Sequence, residues 1–136
     1  MAFIDWNKNM SVGVERLDED HRKLIAIINQ LHDGIQAGHK REILDQVLHE
    51  LVEYTKVHFA NEERLFAQTD FAGAAVHISE HESLVQRILN VARHFEDRPV
   101  SVLDYELMSF LQTWLLNHIQ TTDKKYSAWF NSHGIF

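Results

Sequence analysis

The segment VHISEHESL, residues 76–84, places His77 and His81 four positions apart. Leu84 and Ile88 continue this spacing along the chain. Steps of three and four residues are typical of the buried face of an amphipathic helix. The segment therefore predicts a helix whose buried face begins with two imidazole side chains, in positions where leucine is normally found.

The same periodicity predicts three more helices, whose ends we place by capping residues, Gly and Pro. The predicted helices begin at or near Asp18, Arg41, Asp70 and Ser101. The first three end at Gly38, near Phe66 and before Pro99, respectively. Asp18 is the predicted N-cap of the first helix, and Ser101 with Asp104 forms a pair resembling a capping box.

The connections between these helices are short, so successive helices should be antiparallel neighbours. The sequence therefore predicts an all-α fold, an up-down-up-down antiparallel four-helix bundle formed by residues 18–136 as one domain. Residues 1–17 should form an N-terminal arm, with Phe3 and Trp6 packed on the bundle.

Each predicted buried face carries at least one polar residue, although the chain has ample apolar residues. In helix order, these residues are His21; His58 and Glu62; His77 and His81; and His118. They lie near the beginnings of the first and third helices and near the ends of the second and fourth. In an antiparallel bundle, all of these places are at the same end. Periodicity alone does not require that coincidence.

A cluster of this kind needs compensation, because a buried polar group without a partner costs roughly 2–7 kcal/mol. A metal ion supplies it, and imidazole with carboxylate suits Fe, Zn, Cu or Ni. Pairs four residues apart lie on one helix face, about 40° apart around the axis. Six side chains exceed the needs of one tetrahedral ion and fit two ions bridged by carboxylates.

The composition argues against several other functions. The chain of 136 residues has a net charge of -7, with its acids spread along the sequence, which argues against nucleic acid or an anionic membrane surface as a partner. It has no Cys, and therefore no disulfide or thiolate chemistry. We see neither an apolar run long enough to cross a membrane nor a secretion leader, and we expect a cytoplasmic location.

Nearly the whole chain resembles the hemerythrins, most of all the bacterial single-domain members, the bacteriohemerythrins. The resemblance rests on four motifs in this order: SVGVERLDEDHRKL, HFANEE, HISEH and HIQTTDKKY. It implies a non-haem di-iron centre (Fe2+/Fe3+) with a bridging oxo or hydroxo group, which binds O2 reversibly. One iron would be held by His77, His81 and His118. The other would be held by His21 and His58, with a position open to O2, and Glu62 and Asp123 would bridge the two.

The resemblance alone nominates Asp123. Five residues after His118, it would lie about 140° around an ideal helix, away from the buried face. Either a π-type widening of the helix or the end of the helix must therefore bring its carboxylate back.

Five of the seven proposed ligands are neutral imidazoles. Anionic oxygens favour ferric and higher states, so this set predicts an accessible ferrous pair and reversible binding. The resemblance also implies an apolar O2 pocket that excludes water and protons. Its expected residues, all close to ligands in the sequence, are Leu24, Phe59, Trp114, Leu115 and Ile119.

Three classes of function remain open. The first is storage, transport or delivery of O2 by a monomer, with O2 as ligand and an O2-consuming enzyme as a possible recipient. The second is a sensor of O2, NO or iron that acts through a separate partner. The third is a di-iron oxidase or peroxidase, which we favour least because no acid or base stands out near the motifs. We therefore expect a carrier and not an enzyme.

Overall fold

The computed structural model describes residues 3–38, 40–94 and 100–136, with the side chains of 91, 92, 94 and 100–106 outside that description. These ranges contain five α-helices and no strand. The helices are α1 (Glu15–Gln36), α2 (Arg41–Thr69), α3 (Ala74–His94), α4 (Val100–Asn117) and α5 (Ser127–Ser132). α1 packs against α2 and α4, and α2 packs against α3. The predicted all-α four-helix bundle is confirmed. None of the described helices has the length and apolar character needed to cross a membrane.

Apolar layers hold the bundle together on the far side of the predicted polar cluster. Leu31, Leu51, Leu84 and Leu107, one from each bundle helix, are at most 1% exposed. Burying one leucine side chain stabilises the fold by roughly 1.5–3 kcal/mol. These layers fix the helices relative to one another, and so they also fix where the polar residues of each helix meet.

The N-terminal end of α1 differs from the prediction. The helix begins at Glu15 with Val14 as its N-cap, three residues before the predicted start. Asp18 lies in the first turn, only 4% exposed. Its carboxylate accepts hydrogen bonds from the Val12 backbone N–H at 2.8 Å and from the Ser11 hydroxyl at 2.6 Å. Asp18 therefore anchors the arm to the helix, and its predicted role as N-cap is wrong.

The boundary between α2 and α3 also differs from the prediction. α2 continues beyond Phe66 to Thr69, and Asp70 stops it with a left-handed backbone (φ 52°). Asp adopts this conformation more readily than most residues do. α3 then starts at Ala74, so Asp70 ends one helix and does not begin the next. The predicted capping pair Ser101 and Asp104 and the chain just before Pro99 lie outside the described residues.

After α4 the chain changes helical type. Residues His118–Thr122 form a π-helical turn, in which the Asp123 backbone N–H bonds to the His118 carbonyl. A short 3-10 helix, Asp123–Tyr126, follows. A π-turn closes its hydrogen bond over one residue more than an α-helical turn does. It therefore returns Asp123 to the face of the helix that carries His118. Of the two routes considered from the sequence, the structure takes the π-type widening.

Phe3 and Trp6 of the arm pack against the core, and the Phe3 ring stacks on His32 toward the end of α1 that lies away from the polar cluster. The later part of the arm lies against α5 at the polar end of the bundle. The Ser127 hydroxyl donates to the Val12 carbonyl, and the Asn131 side-chain amide donates to the Gly13 carbonyl at 3.0 Å. The arm is therefore tied to both the first and the last helix of the chain.

Asp18→Ala should loosen the arm. It leaves the buried Val12 N–H without its acceptor, so the free energy of unfolding should fall by roughly 1–3 kcal/mol. Urea denaturation of the metal-free chain measures this change. The control is Glu19→Ala, which removes an exposed acid one position away. Equal loss in both variants would contradict the anchoring role.

Candidate metal centre

Seven polar side chains come together at one end of the bundle. Each is at most 4% exposed. They are His21, His58, Glu62, His77, His81, His118 and Asp123. These are the seven positions nominated from the sequence, and none is left out of the cluster. That these seven side chains bind metal stays a prediction.

Each helix contributes to the cluster where its periodicity puts a residue on the buried face. The second turn of α1 supplies His21. α2 supplies the pair His58 and Glu62, one turn apart, and α3 supplies a second pair, His77 and His81, close to its start. The π-turn presents His118 and brings Asp123 to the same face.

The Glu62 carboxylate touches histidines from two helices. Its Oε1 lies 2.9 Å from His58 Nε2 and 3.5 Å from His81 Nε2. Its Oε2 lies 3.9 Å from His77 Nε2. Glu62 is therefore placed between the α2 histidine and the α3 histidines.

The Asp123 carboxylate occupies a similar position. Its Oδ1 lies 2.9 Å from both His77 Nε2 and His118 Nε2. Its Oδ2 lies 3.1 Å from His21 Nε2. One oxygen therefore faces α3 and the π-turn, and the other faces α1.

These short distances are not accompanied by hydrogen bonds. The Nε2 atoms of all five histidines and all four oxygens of the two carboxylates are buried and have no hydrogen-bond partner among the described residues. Buried polar groups are nearly always hydrogen-bonded, so this set of converging nitrogen and oxygen atoms needs another explanation. Nitrogen and oxygen donors aimed at one space fit a metal ion.

The donor atoms divide into two overlapping sets, and within each set all donor atoms lie within 4.8 Å of one another. One set contains three histidines, from α3 and the π-turn: His77, His81 and His118. The other contains two histidines, from α1 and α2: His21 and His58. Glu62 and Asp123 belong to both sets. The arrangement can hold two cations that share both carboxylates.

Behind the cluster, one further carboxylate makes close contacts. Asp20 Oδ2 lies 2.9 Å from His58 Nδ1. Burial alone would raise the pKa of Asp20, but hydrogen bonds from His58, Asn61 and Tyr54 outweigh it and lower that pKa to about 2. An ionised carboxylate only accepts hydrogen bonds, so His58 Nδ1 is the donor. Periodicity could not nominate Asp20, because this contact crosses from α1 to α2.

The carboxylates set the charge of the histidines that they touch. Burial by itself lowers the pKa of His58, but Glu62 and Asp20 outweigh it and raise that pKa to about 10. Burial likewise lowers the pKa of His118, and Asp123 outweighs it and raises that pKa. His81 behaves in the opposite way, because burial and the neighbouring histidines lower its pKa to about 2.

Aromatic rings cover two of the histidines. The Phe59 ring stacks on His81 with a centroid distance of 3.6 Å and an interplanar angle of 3°. The Trp114 ring stacks on His118 at 4.7 Å and 13°. These contacts limit rotation of both imidazole rings.

The five residues expected to form an O2 pocket have different surroundings. Leu24, Trp114 and Leu115 line one internal cavity, together with apolar residues of α1–α4 and Thr55. Its volume of ≈ 10 Å³ is at the lower limit for a single water molecule. Phe59 and Ile119 are buried but do not line this cavity.

Comparison with known proteins connects the chain with one family. Residues 12–130 match the family model described as the hemerythrin HHE cation binding domain. A bacteriohemerythrin of Stenotrophomonas maltophilia is 31% identical over 133 residues, which cover 98% of this chain and 85% of that protein. A bacteriohemerythrin of Methylococcus capsulatus is 31% identical over 127 residues, covering 93% and 95%. A hemerythrin-like protein of Naegleria gruberi is 33% identical over 124 residues, covering 91% of each chain.

Solved structures of hemerythrins are also similar to this chain. The crystal structure of a wild-type hemerythrin has a TM-score of 0.83 and 26% sequence identity, covering 93% of this chain and 97% of that one. A leucine-to-alanine variant of a hemerythrin has a TM-score of 0.84 and 26% identity, covering 95% and 98%.

Metal binding should release about one proton per chain at pH 7 from His58. Its pKa of about 10 keeps it charged in the metal-free chain, and ligation requires a free Nε2 lone pair. Because protons compete with the metal, affinity should rise as the pH increases toward about 10. Calorimetric titration with ferrous ion, without air, in two buffers of different ionisation enthalpy counts the protons. His58→Ala should release about one proton fewer, and unchanged release would contradict the assignment.

Proposed function

Because this chain belongs to the hemerythrin family, we propose that it binds O2 reversibly at a non-haem di-iron centre, for storage or delivery of O2. The proposal rests on the two overlapping sets of buried donor atoms. Two carboxylates belong to both sets, with three histidines on one side and two on the other. A recipient enzyme that consumes O2 is part of this proposal.

The proposed ligands follow the two sets. The three-histidine set would hold one iron, and the two-histidine set would hold the second, with one protein ligand fewer and so with room for O2. Glu62 and Asp123, which belong to both sets, would be shared between the irons. When bound, a ferrous pair can lend two electrons to O2 and recover them on release.

The chain's own residues favour release of O2 over further reaction. Five neutral imidazoles and only two carboxylates put little negative charge on the metals, which keeps the ferrous states accessible. The burial of every donor also removes the charge stabilisation that water would provide for a departing, reduced oxygen species. The ligand set therefore supports binding and release.

The apolar shell supports the same behaviour. Leu24 and Leu115 are 3% and 4% exposed, and they carry no group that can donate a proton. The cavity beside them is barely large enough for one water molecule. We infer that O2 occupies this side of the centre and is shielded there from water and protons.

The direct test is optical. The iron-loaded, reduced chain should be nearly colourless, should gain absorption bands in the visible range on exposure to O2, and should lose them when O2 is removed. Repeated cycles should return the same spectrum. Bands that persist after O2 is removed, or a protein that consumes O2 with added substrate, would indicate oxidation chemistry in place of reversible binding.

Leu115→Ala should speed oxidation of the O2-bound protein to the inactive ferric state. Removing the branched side chain enlarges the cavity and admits water beside the O2 position. It should also cost roughly 2–5 kcal/mol of stability. The measurement is the rate of spectral decay in air after reduction.

The matched control for that variant is Leu107→Ala on the same helix. Leu107 is 1% exposed and lies two turns further from the cluster, so its loss should cost similar stability and leave the oxidation rate unchanged. If both variants oxidise at the parent rate, Leu115 is part of the core only, and other residues must exclude water.

A further inference from the structure

Asp20 sits at the meeting point of α1 and α2, with its side chain 14% exposed. Its carboxylate accepts three hydrogen bonds from α2: from His58 Nδ1–H at 2.9 Å, from the Tyr54 hydroxyl at 3.0 Å and from the Asn61 side-chain amide at 3.2 Å. The three donors lie four and three residues apart, so they share one face of the helix. Three side chains on one face of α2 therefore hold a single carboxylate of α1.

On the three-histidine side, the carboxylates described near His81 and His118 lie further from the Nδ1 atoms. Glu63 Oε2 lies 3.6 Å from His81 Nδ1, and Glu80 Oε2 lies 3.5 Å from His118 Nδ1. Both distances exceed those of ordinary hydrogen bonds. Glu63 and Glu80 are 33% and 43% exposed, so both are more accessible to solvent than Asp20. Among these three carboxylates, only Asp20 is fixed against its histidine.

We propose that Asp20 is a positioning residue for the two-histidine half of the centre. By accepting from Nδ1–H, it keeps that proton of His58 in place and fixes the imidazole so that Nε2 faces Glu62 and the space between the two halves of the cluster. Tyr54 and Asn61 position Asp20 in turn, since they hold its two oxygens from the same helix. This inference rests on the proposed role of His58 as a metal ligand.

The two halves of the centre should then differ in how they retain metal. The two-histidine half has one imidazole fewer and depends more on the orientation of each ligand. Residues that hydrogen-bond to a metal-ligating histidine typically contribute 10- to 100-fold to metal affinity. We expect Asp20 to contribute on this scale to the affinity of one ion of the pair and little to the other.

The first experiment measures loss of iron to a strong chelator from the reduced, iron-loaded chain. Asp20→Ala should release one iron about 10- to 100-fold faster than the parent and the second at nearly the parent rate. Asp20→Asn keeps an acceptor oxygen, so it should release the first iron only a few-fold faster. Tyr54→Phe and Asn61→Ala should give intermediate rates, because His58 keeps its acceptor but the carboxylate is held less firmly.

The second experiment observes the hydrogen bond itself in the zinc-loaded chain, which is diamagnetic. In the parent, the Nδ1–H proton of His58 should give a sharp, downfield, slowly exchanging NMR signal. Asp20→Asn should retain a shifted signal, and Asp20→Ala should lose it. A residue that merely stabilises the fold would not produce this pattern.

The matched control is Glu19→Gln. It removes the same charge from the adjacent position on α1, where the side chain is exposed. Its iron release and NMR signal should match those of the parent. Circular dichroism checks that each variant is folded. If Asp20→Ala does not fold, Asp20→Asn, Tyr54→Phe and Asn61→Ala still test the proposal.

Two outcomes distinguish the possible failures. If Asp20→Ala keeps the parent's release rates and its His58 signal, while His58→Ala loses one iron, the positioning role is wrong and the ligand assignment stands. If His58→Ala also retains both irons, the assignment of His58 as a ligand fails, and the role of Asp20 fails with it.

Discussion

The burial of two carboxylates among five imidazoles is the constraint that organises this bundle. Glu62 and Asp123 are 0% exposed, and their oxygens have no hydrogen bonds within the described residues. Such an arrangement is costly for a protein alone, because buried charges require pairing or metal coordination. The apolar layers beyond it hold the helices in register, so the donor atoms of the different helices converge. We infer that the fold accepts this cost to prepare the site for metal.

The local helix geometry follows from that constraint. A regular α-helix would carry Asp123 away from the face that presents His118, whereas the π-turn brings it back. Single π-turns within α-helices are frequent at functional sites. The same logic extends outward to Asp20, which is fixed by three donors of α2 and faces the half of the centre with fewer histidines. Within the smaller ligand set, it is His58 that Asp20 holds in this way.

Much of this could be predicted from the sequence. Periodicity predicts the four bundle helices, and antiparallel topology then brings six of the polar side chains to one end. Helix ends were harder to predict. Asp18 binds the arm and Asp70 adopts a left-handed backbone, and spacing reveals neither. The contact of Asp20 with His58 depends on the relative positions of two helices, which a pattern within one helix cannot specify. The position of Asp123 required a family resemblance, because the π-turn breaks the periodicity.

The central claim is that one buried cluster holds two irons through shared carboxylates. Its most direct test is a crystal structure of the iron-loaded chain, with anomalous diffraction measured at the iron absorption edge. We expect two peaks per chain, one beside His77, His81 and His118 and the other beside His21 and His58, with Glu62 and Asp123 between them. A single peak, or peaks away from these side chains, would contradict it.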